Sequence, residues 1–215
     1  MKQKATRDQI IEAADRLFYQ VGYDPTSFTE ISQAVGITRG NVTFHFETKD
    51  DILDAVIDLR LKRTRRMLEQ WESDGGTPGE RIKSFINILI TNRTKIMLYG
   101  CPVGTLCTEL AKLEHAALPQ ANKVFGLFRD WLSRQFSQLG FQAEADALAL
   151  HVLAWSQGVA TLANAFHDER FIRREVRQLE QWLESVALSV LHNQEAPPVS
   201  RVGKTRQTRM RVRMK

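Results

Sequence analysis

The sequence predicts an all-α protein of about nine helices, with a short three-helix head followed by a longer helical body. Three observations carry this reading. Apolar residues recur at three- and four-residue spacing along most of the chain, as one buried helix face requires. A helix-start signature, a hydroxyl residue followed three positions later by a carboxylate or amide, recurs where such periods begin. No stretch alternates apolar and polar residues in the manner of a half-buried strand.

Ile10, Ile11, Ala14, Leu17, Phe18 and Val21 form the buried face of the first helix, which Thr6 with Gln9 starts and Gly22 stops. Ser27 with Glu30 caps a second, short helix, and a third follows from Thr38. Thr48 with Asp51 caps a fourth, expected over 49–72 and ~36 Å long at 1.5 Å per residue. Ser73-Asp74-Gly75-Gly76 is the clearest loop, after which Thr77, Pro78 and Glu80 announce a fifth helix. Periodicity then places helices near 79–98, 103–113, 119–139, 143–166 and 172–192, with breaks at Pro102, Pro119 and Gly140. Pro197 and Pro198 end the last of them. The division expected is a head over 1–48, a body over 49–195 and a basic tail over 196–215 with no periodic apolar face, disordered in isolation.

Bulk properties narrow the function. A 43% hydrophobic content suffices for a substantial core. No segment reaches the roughly 18 uninterrupted apolar residues of a membrane span, and MKQKATRDQI does not read as a secretion signal, so a cytoplasmic protein is expected. Two cysteines, Cys101 and Cys107, are too few for a disulfide scaffold or a closed zinc site. They read either as core thiols or as a redox or electrophile sensor. The net charge of +5 belongs to the tail, because Arg201–Lys215 holds basic residues and no acid. That tail is either a solubilising segment or an arm drawn to phosphates. DNA binding by the remainder must therefore rest on local geometry.

Thr26–Lys49, TSFTEISQAVGITRGNVTFHFETK, is the most informative stretch. A short helix carrying Phe28, Ile31 and Ala34 meets a tight turn at Gly36, and a second short helix follows. Small Ala34 is expected to let the helices approach, while Ile37 and Val42 lock the second one to the core. Its exposed face presents Thr38, Arg39, Asn41 and Thr43, donor-rich groups able to reach phosphates or base edges in a major groove. Phe44 and Phe46 read as core by residue type, and His45 as either a structural histidine or a phosphate contact.

These residues resemble the DNA-binding domain of the tetracycline-repressor (TetR/AcrR) family. Tyr19-Gln20-Val21-Gly22-Tyr23 matches its aromatic-x-x-x-Gly-aromatic element, and Ile31–Ile37 its Ile-Ala-x-x-Ala-Gly-Val helix. Thr38–Lys49 matches its Ser-x-Gly-x-hydrophobic-Tyr-x-His-Phe-x-x-Lys run, with Thr43 replacing the tyrosine. The resemblance implies that Thr38, Arg39, Gly40 and Asn41 open a recognition helix. It implies that Ser27, Thr43, His45 and Lys49 hold the DNA backbone, with Phe44 in the same contact set. Lys49 also stands at a helix N-terminus, where free amides favour a phosphate. The partners implied are double-stranded operator DNA, a second copy of the chain and a small-molecule effector; no membrane partner, cofactor or metal is expected.

In such a protein the fourth helix acts as a lever, since paired heads must sit roughly 34–36 Å apart. Its Arg60, Lys62, Arg63, Arg65 and Arg66 read as a solvated or interdomain face. Two stripes near the C-terminus suggest a dimer surface: Leu148, Val152, Trp155, Val159, Leu162 and Phe166, then Val176, Leu179, Leu183, Val186, Ala187 and Val190. Phe85, Leu89, Arg93, Phe125, Phe128, Trp131 and Trp155 are candidates to line an effector cavity. GCPVGTLCTEL adds Cys101, Leu106 and Cys107, because its glycines permit close approach of backbone to another group. No catalytic constellation is present, and the chain is not expected to be an enzyme. The leading expectation is a homodimeric repressor of a palindromic operator, released by its effector. The alternative is a structural or division-linked DNA-binding protein of the same fold without an effector.

Overall fold

The computed structural model describes the backbone of residues 2–195 and the side chains of residues 6–188. The expected basic tail, and Val190 of the second stripe, lie outside these residues. Every regular element among the described residues is a helix: α1 (Lys2–Gln20), α2 (Phe28–Val35), α3 (Arg39–His45), α4 (Lys49–Ser73), α5 (Pro78–Ile86), α6 (Ile88–Thr91), α7 (Arg93–Tyr99), α8 (Pro102–Lys112), α9 (Leu118–Gln138), α10 (Ala145–Phe166) and α11 (Glu169–Glu195).

Capping chemistry sets several starts. Ser27, Thr48 and Thr77 each accept from the backbone N–H three residues on, while Glu30, Asp51 and Glu80 return the bond to the cap's own N–H. Each such cap is worth about 1 kcal/mol. α1 instead begins at Lys2, upstream of the expected Thr6 start.

In the head, Ile10, Ile11, Ala14 and Phe18 of α1 close over Ile31, Val42 and Phe46. Two expectations fail here. Val21 is 56% exposed, because α1 ends at Gln20 and the helical period no longer applies to it. Ala34 is exposed too; the buried face of this two-turn helix is Ile31 and Ser32. The turn itself is as expected, with Gly36 left-handed (φ 77°, ψ 32°) and its N–H returning to Ser32 and Gln33.

α4 has 25 residues, ~37 Å of rod, and runs from the head to α5 and α9 of the body. The helix expected over 79–98 is broken into α5, α6 and α7. At the breaks, the Asn87 side-chain amide donates to Lys83 O (2.9 Å) and that of Asn92 to Ile88 O (3.2 Å). Such side chains compete with the backbone for its own carbonyls and bend a helix. Counted as one interrupted span, these three bring the helices among the described residues to the nine expected. α9 forms the centre of the body, packed on α4, α5, α8 and α10.

The two dimer stripes are divided by the fold. Val152, Val159, Val176, Leu179 and Leu183 are buried within a single chain, where α10 and α11 close on α5, α6 and α7. Heptad-like spacing marks a buried face and does not say which chain covers it. Leu162 (44% exposed) and Phe166 (68%) do face outward.

Candidate functional site

Two regions concentrate chemistry: the outer face of the head and a cavity in the body. On the head, Thr38 caps α3, its Oγ1 accepting from the Asn41 N–H at 3.3 Å. Val42 and Phe46 turn inward, and the residues between them turn outward. Arg39, Gly40, Asn41, Thr43 and Phe44 are all exposed, and His45 is half-buried with its ring edge-on to Phe44. Among the described residues, the side chains of Arg39 and Asn41 meet no intramolecular partner, so their donors are free.

Phe44 was expected in the core by residue type, and this is corrected: it is 70% exposed. Its position, two residues from each of Val42 and Phe46, puts it on the opposite side of α3. Thr43 donates its hydroxyl proton to Gly40 O at 3.1 Å, so it offers a DNA backbone an acceptor unless it rotates. Ser27 Oγ accepts from Glu30 N–H at 3.3 Å and keeps its own proton. Lys49 is already engaged. Its Nζ donates to Tyr23 O (3.1 Å) and Asp24 O (2.9 Å) and sits 4.3 Å from the Tyr23 ring centre, which leaves one of three donors.

The cavity has a volume of about 530 Å³. Phe85, Phe125 and Phe128 supply an aromatic end, with Phe85 edge-on to Phe128 at 5.3 Å between ring centres. Leu89 and Cys101 also line it. The polar end was not foreseen. It comes from Glu12, Asp15, Arg16 and Tyr19 of α1 and from Arg60 and Arg63 of α4. Arg60, 8% exposed, donates from Nε to Asp15 (2.7 Å) and from Nη1 to Pro102 O (2.6 Å). Tyr19 donates to Gly100 O at 2.7 Å, and burial pushes its phenol up to about 12, so it remains a donor at neutral pH. The basic face of α4 is thus divided: Arg60 and Arg63 join head to body, while Lys62, Arg65 and Arg66 are solvated.

Five cavity candidates lie elsewhere. Arg93 pairs with Glu169 at 2.9 Å and donates to Ile90 O. Leu106 and Cys107 lie one turn beyond the lining part of α8, against Ala121 and Val124. Trp131 is fully buried beyond the aromatic end, its ring 5.4 Å from that of Trp71. Trp155 misses the lining face of α10, which is Leu153, Ser156, Gln157 and Ala160 at helical spacing. What approaches the glycine-containing start of α8 is protein: Gln157 Oε1 lies 2.5 Å from where a Cβ on Gly104 would stand. Burial, and then Cys101, push the Cys107 thiol up to about 11, so it stays protonated at neutral pH. The N-terminal helix was read for its apolar face alone. Its Asp15 and Tyr19 become a wall only when the body docks, and no local pattern signals that.

Among the described residues no helix is long and apolar enough to cross a membrane, and no cluster of three His, Cys, Asp or Glu could hold a metal.

Comparison with known proteins agrees with this geometry in both halves. Residues 10–56 match the model of bacterial regulatory proteins of the tetR family, and residues 78–178 match the LmrA/YxaF-like transcriptional regulator C-terminal domain. The HTH-type transcriptional regulator TtgR of Pseudomonas putida is 43% identical over 164 residues, covering 72% of this chain and 78% of that one. An HTH-type transcriptional regulator in the lacX 3' region of Lactococcus lactis is 25% identical over 84% of this chain and 94% of its own. In fold, the chain is similar to a TetR transcriptional regulator from Legionella pneumophila, with a TM-score of 0.73, 24% identity and 80% and 94% of the two chains covered. A capped two-helix reading head, a rod leading from it and a helical body around a cavity, matched in sequence over both parts, make this chain a member of the TetR family of HTH-type transcriptional regulators.

Proposed function

We propose that the chain is a cytoplasmic, homodimeric repressor that holds a palindromic operator through its head, residues 1–48, and lets go when a small molecule fills the cavity of its body, residues 49–195. The observation that carries this reading is the shared wall. α1 belongs to the head, yet its Asp15 and Tyr19 line the cavity, so a guest there touches the element on which α2 and α3 are packed. A cavity of about 530 Å³, mostly apolar with a polar end, suits one small organic molecule.

On DNA, Arg39 and Asn41 would read base edges, with Phe44 against thymine methyl groups or sugars. Thr38, the exposed Gly40 backbone, Thr43 and His45 would meet phosphates along α3. Ser27 and the remaining Lys49 donor would fix the register at the flanking backbone. A second copy would cover the outward face of α10, where Leu150, Ala154, Gly158, Leu162 and Phe166 are exposed at helical spacing. The effector-free alternative is not favoured, since it gives the cavity no role.

Selection of bound duplexes from a random pool, followed by a screen of small molecules for release, tests the reading. A two-fold symmetric site and at least one releasing compound are expected. Asymmetric selected sites, or retention of DNA in the presence of every compound that binds the chain, would overturn it.

A further inference from the structure

The turn between α1 and α2 is held from outside the head. Glu109 of α8 accepts from two successive backbone N–H groups, one on each carboxylate oxygen: Tyr23 at 2.9 Å and Asp24 at 2.8 Å. The carboxylate is closely fitted. Gly22 has φ +114°, and a Cβ on it would stand 3.0 Å from Glu109 Oε1. From the other side Lys49 holds the carbonyls of the same two residues. The Tyr23 phenol donates to Asp50 and lies 3.2 Å from His115 Nε2. Bonds from main-chain donors to a carboxylate are charge-assisted and roughly twice as strong as neutral ones. Because they grip main chain, they fix the turn itself and not merely a side chain.

The other end of α8 is at the cavity. Pro102 and Val103 line it, and Pro102 lies ~10 Å along the helix axis from Glu109 at 1.5 Å per residue. The Pro102 carbonyl is held by Arg60, which also pairs with Asp15 of α1. α8 is therefore a short rod with one end on the cavity wall and the other on the turn that leads to Ser27, the cap of α2.

We propose that Glu109 is a positioning residue for the DNA-binding head, and that α8 carries the filling of the cavity to that head through its two bonds to Tyr23 and Asp24, in parallel with α4. The second half of this rests on the reading of the cavity as the effector site.

The test uses the full chain and a duplex selected by it. Glu109→Gln keeps shape and removes the charge and one acceptor. Thermal unfolding should change little, while amide exchange at Tyr23 and Asp24 should quicken at least about tenfold and DNA affinity fall about tenfold. Unchanged exchange and affinity would overturn the positioning role. In place of an unidentified effector, Ala160→Phe fills the cavity from α10. It should weaken DNA binding in the presence of Glu109 and much less in the E109Q background. Equal losses in both backgrounds would overturn the α8 route. If A160F leaves DNA binding intact while E109Q still frees the turn, the effector reading fails and the positioning role stands. Should E109Q not fold, exchange in the unaltered chain decides: Tyr23 and Asp24 amides as fast as those of Gly75 and Gly76 would overturn the clamp.

Discussion

The face of α3 and the wall of the cavity are built in opposite ways. Residues 26–49 supply the first almost alone, through caps and a turn that span three or four residues each. The second draws on α1, on α4 through α10, and on contacts between residues far apart in sequence. On α3 the side chains of Arg39 and Asn41 take no part in holding the fold, so each can change without changing whether the chain folds. In the cavity the same aromatic ring is both a piece of the core and, on the proposed reading, a surface for a guest. Under the proposed function, recognition of DNA is therefore separable from stability, and recognition of a small molecule is not.

Four changes test that contrast, from the largest expected effect to the smallest. Phe128→Ala removes a ring that is 9% exposed and edge-on to Phe85, and should cost about 3 kcal/mol in urea unfolding. A cost below about 1 kcal/mol would mean that the wall is not core, and the contrast would fail. Arg60→Met should cost about 2 kcal/mol by leaving Asp15 with Arg63 as its one ion-pair partner and taking the guanidinium donor from the Pro102 carbonyl, with part recovered when Asp15→Asn is added. Arg39→Ala should leave unfolding within about 0.5 kcal/mol while weakening binding to a selected duplex about 10- to 100-fold and relaxing the preference at one base pair. Destabilisation in step with lost binding would show that α3 is not a free face. The smallest effect is electrostatic. The Ser27 N–H holds the Glu30 carboxyl below the ordinary glutamate range, so the folded value lies under the unfolded one. Its stabilisation is full above the ordinary range and is lost as the pH falls through the folded value. Glu30→Gln, which removes the titrating carboxyl while the Ser27 N–H stays, should therefore flatten the acid limb of a stability–pH curve measured by thermal unfolding, with only a constant offset at neutral pH.

The same contrast explains what was legible in the sequence. Ser27 with Glu30, Thr48 with Asp51 and Thr77 with Glu80 are local devices, and a local pattern suffices to find them. Thr6 with Gln9 has the same pattern, but the backbone is already helical before it. Phe44 misled by its type and was recoverable from its register between Val42 and Phe46. The cavity was half legible. Phe85, Leu89, Cys101, Phe125 and Phe128 were visible as apolar residues in the middle of the chain, while Arg93 of α7 and Trp155 of α10 miss the lining faces of their own helices. Asp15 and Glu109 carried no signal, and Tyr19 only its place in the family element, because their meaning lies in which distant element docks against them. The stripes of α10 and α11 gave burial without naming the partner: the chain itself covers Val152, Val159, Val176, Leu179 and Leu183, while Leu162 and Phe166 face outward.

The interruptions at Asn87 and Asn92 have a mechanical consequence. On one side the cavity is bounded by α9 and α10, rods of 21 and 22 residues; on the other by pieces of nine, four and seven. Bending a continuous helix exposes carbonyls that lose their bonds, but here two of those carbonyls already have side-chain donors in place. The wall formed by α5, α6 and α7 is thus the one with two prepared joints, where a bend would leave the Lys83 and Ile88 carbonyls a donor. Under the proposed function, the range of guest sizes would then depend on those joints as well as on the resting volume.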